Sequence, residues 1–197
     1  MVTQPAYLKN LKAYARSRPE GDDDVDKAVQ DYSDESDRGA IILAATYVED
    51  MLELKIMLYM PGLHNDEPTR RRMFEGDGQI ATFSRKTELA YALGIIDDDY
   101  RKKIDLIREI RNACAHSRKP LSMKTEVLRT ACEVVVRDIL PIFEPDKPLL
   151  LRNAFVGRCL FIAHYITTGE KIDSGEAALA HFKKLVREQD QRLKDPP

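Results

Sequence analysis

The side chains best suited to chemistry lie in one short segment, Ile107–Ser117, which contains Arg111, Asn112 and His116. His116 could serve as a general acid or base, because the unperturbed pKa of histidine lies near neutrality. Arg111 could hold a phosphate group through two parallel N–H donors. Cleavage of RNA without a metal needs both functions, because a proton must be transferred and the phosphorane needs a cation. The segment therefore locates a candidate site better than it names a reaction.

Arg111 lies on the apolar side of the helix that this segment predicts. A helical wheel places five side chains on a polar arc: Asp105, Arg108, Glu109, Asn112 and His116. The opposite, apolar arc holds Leu106, Ile107, Ile110, Ala113 and Cys114. Arg111 falls beside Ile104, Ile107 and Ala115. Since an unpaired buried charge is very costly, an arginine at this position must be paired or must face a wet interface.

Two interpretations of Arg111 follow. In the structural one, Arg111 pairs with Glu49, Glu53 or Asp37, while His116 and Asn112 cap the end of the helix. In the functional one, Arg111 and His116 form a phosphate site, although they point about 140° apart on an ideal helix. They converge only if the helix ends before His116 or if a second copy supplies the partner. The candidate binding residues are Arg108, Arg111, Asp37, Glu49 and Glu53.

A long helix from Ser36 or Asp37 to about Met60 is predicted to be the central element. Its polar positions form one narrow stripe: Thr46, Glu49, Asp50 and Glu53. A helix that is apolar over most of its circumference is covered on several sides. Pro61-Gly62 ends it, and residues 62–81, which include Arg70–Arg72, are expected to form a loop whose arginines are solvated or bind phosphate.

The remaining pattern predicts helices throughout and no strands. The expected helices are 5–18, Thr82 or Ser84 to Gly94, Asp97–Asp99 to about His116, Ser122 to Leu140, 149–168, and 174–193. The three aspartates are expected to cap a helix rather than bind a metal, because no second ligand cluster is visible. We therefore predict an all-α, single-domain bundle of about six or seven helices over 36–193. An N-terminal helix and acidic linker precede it at 1–35. The acidic stretch 20–37, which runs into the start of the domain, holds nine carboxylates.

Composition narrows the class of protein. The net charge of −2 gives no basic field for nucleic acid, and no helix-turn-helix pattern is visible, so no sequence-specific duplex DNA binding is expected of the chain alone. No signal segment or membrane span is apparent, and no cofactor or metal motif is present. Three widely spaced cysteines (Cys114, Cys132 and Cys159) are typical of reduced, buried thiols in a cytoplasmic protein.

Three segments together resemble the mannitol operon repressor family. They are Asp37-Arg-Gly-Ala40 with Glu49 and Asp50 further along that helix, Phe83-Ser84 followed by Leu89–Asp97, and Leu106–Ser117. The match covers roughly residues 36–168. It implies an all-helical, cytoplasmic bacterial regulator linked to repression of the mannitol utilisation operon, acting through protein partners without a DNA-binding motif. The acidic N-terminal segment and Arg70–Arg72 are not expected from the family.

A broader resemblance overlaps the first. Arg111, four intervening residues and His116 match the short signature of HEPN-type helical domains, with Asn112 following the arginine. Many such domains are metal-independent ribonucleases of toxin–antitoxin or defence systems. The resemblance implies that Arg111 and His116 are catalytic, that Asn112 supports them and that RNA is a possible partner. An open cleft shared by Arg111 and His116 would favour this alternative.

A homodimer is expected in either case. The central helix and the 149–168 helix together carry more apolar surface than one small bundle buries. A two-fold dimer would also bring one copy of the Arg111 segment against the other and allow a composite cleft.

Overall fold

Six α-helices pack into one bundle in the computed structural model, which describes residues 35–137 and 148–170, with side chains from 151 in the second range. The helices are α1 (Asp37–Leu58), α2 (Glu67–Phe74), α3 (Phe83–Ala92), α4 (Asp98–His116), α5 (Glu126–Val136) and α6 (Pro148–Thr168). A short 3-10 helix, Pro61–Leu63, joins α1 to α2. These ranges contain no strand, so the all-α prediction is confirmed.

The central position of α1 is also as predicted. Ser36 caps the helix, because its hydroxyl accepts the Gly39 N–H at 3.1 Å. α1 packs against α6, α4 and α3, so three of its sides are covered. Its buried side chains are Ala40, Ile41, Ala44, Ala45, Val48, Met51, Leu52 and Ile56. Because the apolar faces are buried, charged residues of neighbouring helices can contact α1 along its polar stripe, which contains Glu49 and Glu53.

α3 and α4 begin and end close to the predicted positions. Thr82 caps α3 by accepting the Arg85 N–H, and Gly94 follows its end with φ +69°. A side chain at Gly94 would be strained there, and the next residue, Ile95, returns its N–H to the Ala90 carbonyl at 2.9 Å. Asp97 accepts the Tyr100 N–H at 2.9 Å, so the expected capping of α4 by the aspartate run is confirmed.

The buried face of α4 is narrower than the apolar arc of the wheel. Its buried residues are Tyr100, Ile104, Ile107, Ile110 and Cys114. Leu106 and Ala113, which the wheel placed on the apolar arc, are exposed. Because the neighbouring helices α1, α3 and α5 cover one side only, residues at the margins of the arc remain in water.

The loop predicted at 62–81 is wrong, because the three arginines lie on α2. Asp66 caps this helix by accepting the Thr69 N–H at 3.0 Å, and Pro68 stands in its first turn, where no N–H partner is needed. Phe74 is its one buried residue. A helix of eight residues with a single buried side chain has no hydrophobic period, so only its capping residues could have indicated it.

The boundaries of the later helices differ in part from the prediction. α5 begins at Glu126 instead of beside Ser122, whose own N–H donates to the Thr125 hydroxyl in a turn. α6 ends as predicted at Gly169, which has φ +80°. The predicted helices at 5–18 and 174–193, the acidic linker and the predicted end of α5 at Leu140 lie outside the described residues.

All three cysteines are buried and form no disulfide, as predicted. Burial raises the pKa of the Cys132 thiol to about 12 and also raises the pKa values of Cys114 and Cys159. The three thiols are therefore neutral core groups and poor nucleophiles at physiological pH. No helix in the described ranges has the length and hydropathy that crossing a bilayer requires.

Candidate functional site

Arg111 is paired with Glu49, one of the three carboxylates that the sequence offered it. Its Nη2 lies 2.5 Å from Glu49 Oε2, and its Nη1 donates to Asn112 Oδ1 at 3.0 Å. The guanidinium carbon also lies 5.7 Å from the centroid of the Phe83 ring. About a quarter of the Arg111 side chain is exposed (26%), so the group is neither fully buried nor freely solvated.

Lys86 joins the same cluster from α3. Its Nζ lies 3.1 Å from Glu49 Oε1 and 2.7 Å from Glu53 Oε2, and only 5% of the residue is exposed. Burial lowers the pKa of Lys86, but its hydrogen bond to Glu53 and the charge of Glu49 outweigh this effect and hold the pKa above the ordinary value. We call these four residues, Glu49, Glu53, Lys86 and Arg111, the Glu49 network. It ties α3 and α4 to the polar stripe of α1.

Lys86 was missed in the sequence, although a signal for it exists. Phe83, Lys86 and Ala90 are spaced three and four residues apart, and all three are buried on one face of α3. Lys86 thus sits on an apolar face in the same way as Arg111. The rule that drew attention to Arg111 would have found Lys86 as well.

A shallow cleft of about 270 Å³ opens beside the network. It is lined by Glu49, Ala81, Thr82, Phe83, Ser84, Arg108, Arg111 and Asn112. Arg108 is itself held by Asp105 at 3.4 Å and by Glu109 at 2.9 Å. The structure therefore brings together four of the residues that the sequence singled out: Arg108, Arg111, Asn112 and Glu49. The cleft thus presents two guanidiniums and an amide, and each guanidinium is already paired with a carboxylate.

Two of the three other candidates, His116 and Asp37, lie elsewhere. His116 is exposed at the last residue of α4 and does not line the cleft. Because α4 remains helical through His116, the condition for Arg111 and His116 to converge within one chain is not met. Asp37, the first residue of α1, accepts the Met123 N–H at 2.8 Å and positions the turn before α5.

Glu53 belongs to the site only through Lys86. It lies one turn beyond Glu49 on α1 and has no described contact with Arg111. Of the three carboxylates proposed as partners of Arg111, Glu49 pairs with it and Glu53 pairs with Lys86. Asp37 instead accepts a backbone N–H.

The end of α4 is not capped by His116 and Asn112 as the structural interpretation expected. Arg38, from the first turn of α1, donates to the Ala115 carbonyl at 3.0 Å and to the Ser117 carbonyl at 3.5 Å. The Asn112 side chain accepts from Arg111 instead. A cation beside the last carbonyls also suits the helix dipole. Nothing in the local sequence around His116 indicates this partner, because Arg38 lies 77 residues away from Ala115.

Asp50 gives the site a predicted pH dependence. Burial of its carboxyl group raises its pKa to about 6; Lys86 opposes this effect, while Glu49 and Glu53 add to it. Since the folded-state pKa exceeds the ordinary value of 3.8, ionised Asp50 destabilises the fold. The protonated form favours folding below pH 3.8, and this contribution disappears as the pH rises through 6.

We therefore expect Asp50→Asn to stabilise the protein at pH 8 and to have little effect at pH 4. Neighbouring protein atoms crowd the Asp50 carboxyl group, but the residue as a whole is exposed to water, so solvent screening limits the gain at pH 8 to at most about 1 kcal/mol. Urea unfolding of both proteins at the two pH values measures it. An equal shift at pH 4 and pH 8 would mean that Asp50 has an ordinary pKa.

No family model and no curated protein matches the sequence. A solved structure does match the fold: MtlR, in the X-ray structure of the MtlR–HPr complex from Escherichia coli. The TM-score is 0.54 at 13% sequence identity, and the match covers 74% of this chain and 98% of MtlR. The resemblance to the mannitol operon repressor family is thereby confirmed at the level of the fold, and this chain has the helical fold of MtlR.

Proposed function

We propose that this chain is a cytoplasmic bacterial regulator that acts by binding a protein partner. The observation that carries the proposal is the fold match, which spans 98% of MtlR, a protein whose structure was solved as a complex with HPr. We propose that the partner of this chain is the HPr of its own cell, and that regulation passes through this contact instead of direct reading of duplex DNA.

The Glu49 network agrees with a regulatory role better than with catalysis. Each of its cations is held by a carboxylate, Lys86 by Glu49 and Glu53 and Arg111 by Glu49. Catalytic cations are usually aimed at the position where negative charge develops on the substrate. The contacts of Arg111 instead support a role in fixing α4 against α1 beneath the surface that a partner would meet.

Calorimetric titration of the full chain with HPr from the same bacterium tests the proposal. We expect saturable binding with a Kd in the micromolar range, about −8 kcal/mol. An unrelated protein of similar size and charge is the negative control, and Escherichia coli MtlR with its HPr is the positive control. No heat of binding with HPr concentrations of hundreds of micromolar, while the MtlR control binds, would contradict the proposal.

A metal-independent ribonuclease is the second candidate. Its support is the cleft, which places Arg108, Arg111 and Asn112 together at an open surface. Because His116 does not line the cleft, this function needs His116 from a second copy of the chain. The homodimer expected from the sequence would provide it, and the variants that decide this point are argued in the Discussion.

A further inference from the structure

An open groove of about 970 Å³ lies between the end of α1, the segment containing α2, and α3. Leu58 and Tyr59, at the end of α1 beside it, are also exposed, at 66% and 51%. Contiguous apolar surface of this kind marks a place that another segment or molecule covers. The apolar residues that line the groove are Met60, Met73, Ile80, Leu89 and Ala92, of which only Ile80 is buried.

The charged residues that line the groove are Asp77, Glu88 and Arg85, and all three are exposed. Arg85 donates to the Gly78 carbonyl at 3.0 Å, and Glu88 lies 3.5 Å from Arg101. Asp77 forms no ion pair with a cation of the described residues. Two carboxylates against one guanidinium favour an occupant that carries cations beside its apolar side chains, which the acidic stretch 20–37 does not.

α6 brings the chain to the same end of the bundle as this groove. α1 and α6 run in the same direction: Arg152 donates to the Glu35 carbonyl at 2.9 Å where they begin, and Lys55 donates to the Thr167 carbonyl at 2.8 Å where they end. Met60 lies five residues beyond Lys55, about 8 Å further along the axis. Residues 171–197 therefore follow from a point close to the groove.

The sequence of this C-terminal segment complements the groove. The helix predicted over 174–193 carries an apolar face in which successive residues are three or four positions apart. Lys183 and Arg187 lie beside that face, and residues 182–187 contain three cations and no carboxylate. The segment thus combines an apolar stripe with positive charge. The residues of the stripe are Leu179, Phe182, Leu185 and Val186.

We propose that the C-terminal segment 174–193 docks through this apolar stripe in the groove of its own chain. Because α6 packs on α1 and α1 packs on α3, the groove lies one to two helix spacings from α6, about 10–20 Å. The four residues from Glu170 to Ser174 span at most about 14 Å, and the helical residues to Leu179 add about 8 Å.

So short a connection favours the groove of the same chain over that of a second copy. It gives the segment an effective concentration in the millimolar range, far above the micromolar concentration of a second copy in solution. The docked segment covers the groove, so a partner that binds this face must first displace it.

The fluorescence of one introduced tryptophan tests the docking, because the chain has no tryptophan of its own. In the full chain, Phe182→Trp should emit at a shorter wavelength than the same protein in urea, since the indole lies in the apolar groove. Lys184→Trp, on the opposite side of the predicted helix, is the control and should emit as a solvated indole does. The emission of Phe182→Trp should not change on dilution, because the groove belongs to the same chain.

Substitutions in the groove should release the tryptophan. Adding Leu89→Asp to Phe182→Trp should move the emission to longer wavelength, because a carboxylate replaces an apolar contact. Val127→Asp is the matched control: Val127 is 75% exposed on α5 and does not line the groove, so the emission should stay unchanged. Circular dichroism of each variant verifies that the bundle is retained.

Charge reversal tests the rim without altering the apolar floor. Asp77→Lys with Glu88→Lys should also move the Phe182→Trp emission to longer wavelength, because attraction to Lys183 and Arg187 becomes repulsion. Adding Lys183→Glu and Arg187→Glu to that protein should restore the shorter wavelength.

Four results would overturn the proposal. The first is a solvated emission from Phe182→Trp in the folded chain, which would leave the groove to another occupant. The second is a blue-shifted emission that is lost on dilution, which would place the segment on a second copy. The third is a groove variant that behaves as Val127→Asp does, and the fourth is a failure of the second charge reversal to restore the emission.

Discussion

Lys86→Met is expected to lower the free energy of unfolding by about 3 kcal/mol, which is at the lower end of the cost of breaking a buried ion pair. Methionine keeps most of the side-chain volume, so the loss comes from the missing ammonium group. Glu49 and Glu53 both lose a cation within 3.1 Å, and Asp50 lies beside them. Glu49 retains Arg111, and Glu53 is partly exposed, which keeps the cost below that of a wholly stranded pair.

Thermal and urea unfolding at pH 7 measure this loss. For a domain of this size, about 3 kcal/mol corresponds to a fall in Tm of roughly 10 °C. Adding Glu53→Gln to Lys86→Met should recover part of it, because one of the two stranded charges is removed. Lys102→Met is the matched control on α4: Lys102 is 70% exposed and pairs with Asp98 alone, so its substitution should change stability far less than Lys86→Met does. Equal losses for Lys86→Met and Lys102→Met would mean that the network does not hold α3 to α1.

The helices around the network could be predicted because their signals are local. Ser36, Thr82 and Asp97 are capping residues whose partners lie three residues ahead, so sequence alone identifies them. Gly94 and Gly169 end α3 and α6 by adopting positive φ, which is also a property of one residue and its neighbours.

The unusual position of Arg111 was predictable for a similar reason, because helical spacing alone placed a charge on an apolar face. The choice of partner was not predictable. Glu49, Glu53 and Asp37 all lie on α1, and only the packing of α1 against α4 selects Glu49.

Contacts that join distant segments were the ones that the sequence did not reveal. Arg38 donates to the Ala115 carbonyl at the end of α4, and Lys86 pairs with Glu49 in the polar stripe of α1. No motif in the sequence around Ala115 or Glu49 indicates these partners. α2 was missed for the opposite reason. It is set by its cap at Asp66 and by one buried residue, Phe74, so it has too little apolar pattern to be seen.

Arg111→Ala is expected to cost about 1–3 kcal/mol of stability, less than a fully buried pair, because Glu49 keeps Lys86 and the arginine is partly exposed. His116→Ala should change stability by less than about 0.5 kcal/mol, since the residue is exposed and has no bonded partner within the described residues. The same variants, together with Arg111→Lys, also decide between the regulator and the ribonuclease when RNA cleavage is assayed with chelator present.

For a regulator, the wild-type chain leaves RNA intact, and only stability distinguishes the variants. For a ribonuclease with a composite cleft, the wild type cleaves RNA in chelator, and all three variants are inactive. Arg111→Lys is among the inactive variants because lysine cannot present paired donors to a phosphate.

A mixture of two inactive variants gives a signature specific to a composite cleft. In a dimer of Arg111→Ala with His116→Ala, one site carries both substitutions and the other carries neither. Free exchange of subunits in an equimolar mixture should therefore restore about a quarter of the wild-type activity. Restored cleavage in that mixture would overturn the proposed regulatory function as a complete account of the chain, and its absence from an active wild type would exclude a site shared between copies.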